Sequence, residues 1–212
     1  MPSDRSGAVA GILLAAGTSS RMGSNKLLFE LEGESILRGA ARRALAAGVS
    51  PLLVVLGHEA ERAEQELAGL PCQVVINPGY EQGINSSLKT GVSAVPAEAQ
   101  AAVVMLADMP FVTPEMLAGL IARFRSSTAP LVISDYEGIN APPMLYGRSL
   151  FGELLTMTGE GCGRQVVKQH RGEAEVLSWP ASALADLDVP DDYTRVLAAS
   201  PASRVVPRPS GS

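Results

Sequence analysis

Little in this chain points to thiol or zinc chemistry. Cysteine occurs twice in 212 residues, at Cys72 and Cys162, and histidine twice, at His58 and His170. The cysteines stand far apart, with no C-x-x-C pair and no Cys/His cluster, which argues against a structural zinc site. Nothing demands that they pair, and two free, partly buried thiols in a reducing compartment are expected. No Ser/His/Asp set, cysteine nucleophile or zinc-binding helix is visible, and each histidine stands alone, which speaks for non-catalytic roles. No apolar run approaches the roughly 18 residues of a membrane span. Met1–Gly7 is polar and too short for a signal peptide, so a cytoplasmic protein is expected. Positive charge is also short. The 17 Lys and Arg against 22 Asp and Glu leave a net charge of −5, which argues against nucleic acid as the main partner.

What is present suits a globular chain: 46% of residues are hydrophobic and 18% charged. The length fits one domain with a sizeable core. Ser200–Ser212, with its prolines, arginines and Ser-Gly-Ser end, reads as a flexible tail, leaving residues 8–199 as the domain. Strand-like runs at Ala8–Leu14, Pro51–Leu56, Cys72–Ile76, Ala101–Leu106, Leu131–Ser134, Pro143–Tyr146 and Ala174–Leu177 alternate with helix-like segments. The helices are expected at Ser35–Ala47, Ala60–Ala68, Ile84–Ala94, Pro114–Arg125, Arg148–Leu155, Cys162–His170 and Asp191–Ala199. Thr113-Pro114-Glu115 carries helix-start chemistry, with a capping hydroxyl before Pro at the first helical position. Alternation of this kind implies an α/β fold of three layers, with helices on both faces of a mostly parallel sheet. Ligands of such sheets bind at the carboxyl ends of the strands. That rule sets Ala15–Lys26, Gly57-His58 and Ala107-Asp108-Met109-Pro110 on one rim.

The first of these segments is the most informative. The apolar run Val9–Leu13 leads into Leu14-Ala15-Ala16-Gly17-Thr18-Ser19-Ser20-Arg21-Met22-Gly23-Ser24-Asn25-Lys26. Small residues let backbone N–H groups approach an anion, and Arg21 and Lys26 add fixed positive charge. The loop therefore suits a nucleoside triphosphate. It is not a P-loop, because no Gly-Lys-Ser/Thr follows at the required spacing, and the dinucleotide fingerprint is absent too.

Asp108 ends the most apolar strand. A carboxylate there is a natural perch for Mg²⁺, which prefers one or two carboxylates plus phosphates and waters. Asp186 and Asp188 alternate in an extended segment and so share a face. Either could complete a metal site with Asp108, and Asp188 is favoured. Two carboxylates around one ion repel each other in its absence, which predicts that neutralising Asp108 leaves stability unchanged or raises it. In Asn77–Lys89, Gly83 permits close backbone approach, and Ser86 or Ser87 can donate to a nucleotide.

Taken in order, these segments resemble the MobA/MocA-like nucleotidyltransferases. Leu14–Lys26 resembles that family's L-A-[AG]-G-x-S-x-R-M-G-x-x-K signature, and Leu106–Pro110 its L-[AG]-D-[MQ]-P motif. Asp186–Tyr193 resembles D-[IV]-D-T-P-[ED]-D, with Val189 in place of Thr. Asn77–Lys89 resembles the N-P-x-[WY]-x-x-G-x-x-x-S-[LV]-[RK] segment that lies against the nucleotide. Gly159–Arg164 resembles a G-[DE]-x-G-x-R loop, whose Arg164 either meets an anionic second substrate or is simply solvated. The resemblance implies a Rossmann-like nucleotidyltransferase domain. It implies nucleotide contacts from Leu14, Ala15, Ala16, Gly17, Arg21, Lys26, Asn77, Gly83 and Ser87. Arg21 and Lys26 are the expected catalytic cations, and Asp108 and Asp188 the Mg²⁺ ligands. The implied reaction moves CMP from CTP to a molybdopterin-type cofactor, whose phosphate oxygen is already a nucleophile. A molybdenum hydroxylase is a candidate partner downstream. Ala16 favours CTP, because guanylyltransferases of this group tend to have Gly there, which leaves more room for a purine. The alternatives are the guanylyltransferase reaction with GTP, another phosphate-ester nucleotidyltransferase, and a non-catalytic carrier of the cofactor. Ala141-Pro142-Pro143 replaces the Gly-His-Pro of many cytidylyltransferases and leaves the acceptor open.

Overall fold

The structure is a computed structural model, and it describes residues 5–18, 25–158, 161 and 163–184. Arg21, Asp186, Asp188, Cys162 and the expected helix Asp191–Ala199 lie outside the described residues. Strand β1 (Val9–Ala15) comes first. A 3₁₀ turn at Lys26–Leu28 and a short hairpin, β2 (Glu30–Leu31) and β3 (Glu34–Ser35), lead to helix α1 (Ile36–Ala46). Then come β4 (Leu52–Leu56), α2 (Ala60–Glu66), β5 (Cys72–Ile76), α3 (Ile84–Ser93) and β6 (Ala101–Leu106). The described chain ends with α4 (Pro114–Ser126), β7 (Leu131–Tyr136), β8 (Ile139–Asn140), β9 (Met144–Gly147), α5 (Phe151–Thr156), α6 (Arg164–His170) and β10 (Glu175–Trp179).

The main sheet runs β10-β7-β9-β6-β1-β4-β5, with β8 paired to β7. The pairings β10–β7, β6–β1, β1–β4 and β4–β5 are parallel. Only β9, wedged between β6 and β7, runs against its neighbours on this path. The sheet is thus mixed and mostly parallel, as expected. The chain lays β4 and β5 on one side of β1, then crosses back to lay β6 on the other. Loops leaving β1 and β6 therefore part in opposite directions, and the cleft between them is where ligands of open α/β sheets bind.

Alternate residues of each central strand serve opposite faces. In β1, Leu13 and Ala15 join a core with α1 and α4, while Ala10, Ile12 and Leu14 join a second core with α3, α5 and α6. The strands are buried on both faces, which is why they read as unbroken apolar runs. Helix α3 sits close on β1: a Cβ on Gly91 would lie 2.4 Å from Cγ2 of Ile12. Ser35 and Thr113 cap α1 and α4, accepting hydrogen bonds from the N–H groups of Arg38 and Met116. Among the described residues, no helix is long and apolar enough to cross a membrane.

Candidate active site

The carboxyl ends of β1 and β6 bring two expected residues together. Lys26, in the 3₁₀ turn after β1, places Nζ 2.7 Å from Oδ2 of Asp108, just beyond β6. Their side chains are 11% and 24% exposed, so the pair is shielded but open to a ligand. Asn25 fixes the turn by accepting the N–H of Leu27 at Oδ1, 3.2 Å away. The backbones after β1 and β6 are tied as well, with Ala107 N–H donating to the Leu14 carbonyl at 3.1 Å. Sequence spacing could not reveal the Lys26–Asp108 contact, because the residues come from distant segments that meet only through the sheet.

This contact corrects the expectation about Asp108. Asp108 faces a cation here, so neutralising it takes the carboxylate from a mostly buried ammonium rather than relieving repulsion. Among the described residues, no group of three or more His, Cys, Asp and Glu forms a ready-made metal cluster. The Asp108 side chain remains partly exposed, so its carboxylate is open to a ligand.

The remaining expected residues follow the strands. Leu14 and Ala15 bury their side chains in the two cores, so what they offer a ligand is backbone. Ala16 is buried too, and its carbonyl accepts the N–H of His58 at 3.3 Å, while Gly17 is exposed. His58 thus ties its backbone to the segment after β1, and its ring lies 6.2 Å from that of Tyr80.

Asn77 closes β5 and is buried. Its Nδ2 donates to the hydroxyls of Ser86 (2.8 Å) and Ser87 (3.0 Å), and its Oδ1 accepts the N–H of Gly79 at 2.9 Å. Both amide protons are engaged, so Asn77 holds the serines of α3 in place rather than reaching outward. Ser86 donates onward to the Gly79 carbonyl at 2.8 Å. Gly83, just before α3, has φ +95°, a conformation side chains resist, with open space where a Cβ would sit.

A cavity of about 940 Å³ opens next to Asp108, lined by its near neighbours Leu106 and Met109 and by Ile84 at the start of α3. Ala141 and Pro142 form part of its wall, where the resemblance led one to expect a histidine. That wall is braced from behind. Tyr136 Oη donates to the Pro142 carbonyl at 3.0 Å, Ser134 Oγ donates to the Pro143 carbonyl at 2.6 Å, and Trp179 Nε1 donates to Ser134 Oγ at 2.9 Å. Burial pushes the Tyr136 phenol up to about 12, keeping it a donor. Burial also raises the Cys72 thiol, which keeps it protonated and unreactive. Arg164, singled out from the sequence, lines the cavity, as do Lys168 and Arg171, which were not. Their four- and three-residue spacing along the chain was the available signal.

Comparison with known proteins agrees with this geometry. Residues 11–174 match the family described as "MobA-like NTP transferase domain". The purine catabolism protein PucB of Bacillus subtilis is 31% identical over 204 residues, covering 91% of this chain and 97% of PucB. The crystal structure of Rv0371c from Mycobacterium tuberculosis H37Rv superposes with a TM-score of 0.81 at 28% identity, covering 91% of this chain and 98% of that one. A structure of the same protein in complex with manganese gives a TM-score of 0.77 at 26% identity, covering 91% and 100%. The chain belongs to the MobA-like NTP transferase family and is a nucleotidyltransferase that uses a nucleoside triphosphate.

Proposed function

We propose that the chain transfers CMP from CTP to the phosphate of a molybdopterin-type cofactor and releases pyrophosphate. The observation that carries this reading is the Lys26–Asp108 pair in the crossover cleft, with a large cavity beside it. The triphosphate lies along the loop after β1, and the acceptor enters the cavity. Its phosphate oxygen attacks the α-phosphorus, and the bond to the β-phosphate oxygen breaks. The chain's task is alignment and charge neutralisation, since no side chain need become a nucleophile. Lys26 holds the leaving pyrophosphate, with Arg21 as the second cation. Asp108 anchors the ammonium until a polyphosphate competes for it.

Mg²⁺ fits this arrangement. Asp108 would hold it, with Asp188 as the second ligand. The manganese complex of Rv0371c supports a divalent ion in this fold. When bound, the ion adds positive charge to the phosphate oxygens. Leu14, Ala15, Ala16 and Gly17 present backbone to the nucleotide, as does Gly83, while Asn77 fixes Ser87 against it. Ala16, buried where guanylyltransferases of this group tend to have Gly, supports CTP over GTP. The name of PucB, a purine catabolism protein, supports a recipient enzyme acting on purines, for which a molybdenum hydroxylase is the candidate. A cytoplasmic setting suits both substrates.

The test is incubation with each of the four triphosphates, Mg²⁺ and molybdopterin, followed by mass analysis of the product. The cytosine dinucleotide form with CTP is expected. A guanine dinucleotide from GTP would replace CTP in this reading, and tight cofactor binding without pyrophosphate release would replace the enzyme by a carrier.

A further inference from the structure

The cavity beside Asp108 has walls of unlike chemistry. Leu106, Met109, Pro142 and Met144 make an apolar part, while Arg164, Lys168 and Arg171 bring positive charge. No Asp or Glu lines it among the described residues. Lys168 follows Arg164 by four positions on α6, which puts both on one face, while Val166 and Val167 between them are buried in the second core. Neither Arg164 nor Lys168 has a carboxylate partner among the described residues, and both are exposed. An acidic protein that gathers cations around a cavity with no carboxylate among its described lining residues has made a site for an anion.

Arg171, three positions beyond Lys168, is held differently. Its guanidinium donates to Oδ1 of Asn140. Asn140 Nδ2 donates in turn to Oδ1 of Asp135 at 2.9 Å, and Asp135 Oδ2 accepts the N–H of Gly138 at 3.0 Å. The β7–β8 hairpin thereby orients Asn140, and Asn140 orients Arg171. The carboxylate sits one residue back in this chain, and a neutral amide meets the guanidinium. An arginine has five N–H donors, and this contact leaves others for a ligand without neutralising the charge.

Resting on the reading of this cavity as the acceptor chamber, we propose that Lys168 and Arg171 clamp an anionic group of the acceptor, with Asn140 as the positioning residue that keeps Arg171 oriented and charged. A carboxylate at position 140 would neutralise the guanidinium, and it would also lose the donor to Asp135 and face that carboxylate as a like charge. The neutral amide is what makes the arrangement a binding device rather than a surface ion pair.

The test uses the full chain and an aryl phosphate probe, 1-naphthyl phosphate, with uncharged 1-naphthol as its control, titrated by calorimetry. Wild type is expected to prefer the phosphate. Arg171→Gln and Asn140→Asp should each weaken it by about 10–100-fold, the loss expected for one charge-assisted hydrogen bond. Arg125→Gln, on α4 and away from the cavity, removes the same charge and should change nothing. Naphthol and Mg–CTP binding should stay at wild-type values in all variants, and thermal unfolding in Arg171→Gln and Arg125→Gln. Asn140→Asp sets a like charge against Asp135 and should unfold somewhat earlier, yet a loss confined to the phosphate probe is what a merely structural role for Asn140 would not give. Phosphate binding that is indifferent to Arg171→Gln, with Mg–CTP binding intact, overturns the clamp alone. Failure of the wild type to bind any of the four Mg–nucleoside triphosphates overturns the nucleotidyl-transfer reading and the clamp with it.

Discussion

At the scale of the residue, the account turns on Lys26. Lys26→Ala should leave the fold intact, because Asp108 is partly exposed and water can take over its carboxylate. Its turnover should fall by about 10²–10³, the usual cost of removing one preorganised group aimed at developing charge. Steady-state pyrophosphate release, read beside thermal unfolding, separates the two effects. Asp108→Asn should behave oppositely in stability. It strips the carboxylate from an ammonium that is only 11% exposed, so about 1–3 kcal/mol should be lost in urea unfolding, together with metal-dependent activity. Unchanged stability would mean that the pair is not formed in solution. Both residues were legible as separate motifs, but their contact was not, since nothing local in either motif encodes the other.

Tyr136 offers a test of the wall of the cavity by pH. Its phenol is pushed up to about 12 from an ordinary 10.0 by burial. Between those values the unfolded chain binds fewer protons than the folded one, so stability falls as pH rises, and below them the group adds no slope. Comparing urea unfolding at about pH 9 and about pH 11 should show a steeper loss in wild type than in Tyr136→Phe. At neutral pH the variant should be weaker by about 0.5–1.5 kcal/mol, from the lost hydrogen bond to the Pro142 carbonyl. Equal slopes would place Tyr136 in water.

At the scale of the element, regular periodicity was what made the fold readable. Each expected strand has its counterpart in the main sheet, and the central ones, buried on both faces, leave long apolar runs. Cap chemistry was equally direct at Thr113. The hairpin β2–β3 and the strand β8 escaped, since two-residue strands carry no period to detect. Strand β9 was visible as a run, but its reversed direction was not, because direction depends on where the chain returns. Helix α3 carries a prediction of its own. Gly91→Ala would put a Cβ against Ile12 with no room, forcing the helix off β1. A loss of about 1–3 kcal/mol is expected in chemical unfolding. Because α3 also carries Ser86 and Ser87, nucleotide affinity should weaken with it. A variant as stable as wild type would contradict the close packing of α3 on β1.

At the scale of the whole molecule, one topological event creates the site. The crossing of the chain back over β1 opens the cleft, and Lys26 after β1 and Asp108 after β6 meet across it. The reversed strand β9 then leads away from β6 and, with α6, builds the cavity at its side. The loop after β1 was therefore readable from local residues, whereas the cavity is assembled from segments with no shared motif. Asn140 and Arg171 illustrate this: neither stands in a recognisable pattern, and only the fold brings them together.

The central claim is that the α-phosphoryl group with its nucleoside moves to the acceptor. Labelled CTP tests it most directly, with the label at the α-phosphate in one reaction and at the γ-phosphate in another, each with Mg²⁺ and molybdopterin. The account predicts the α label in the cofactor product and the γ label in pyrophosphate, in equal amounts. A γ label on the cofactor, or an α label found only in free CMP or unreacted CTP, would contradict it.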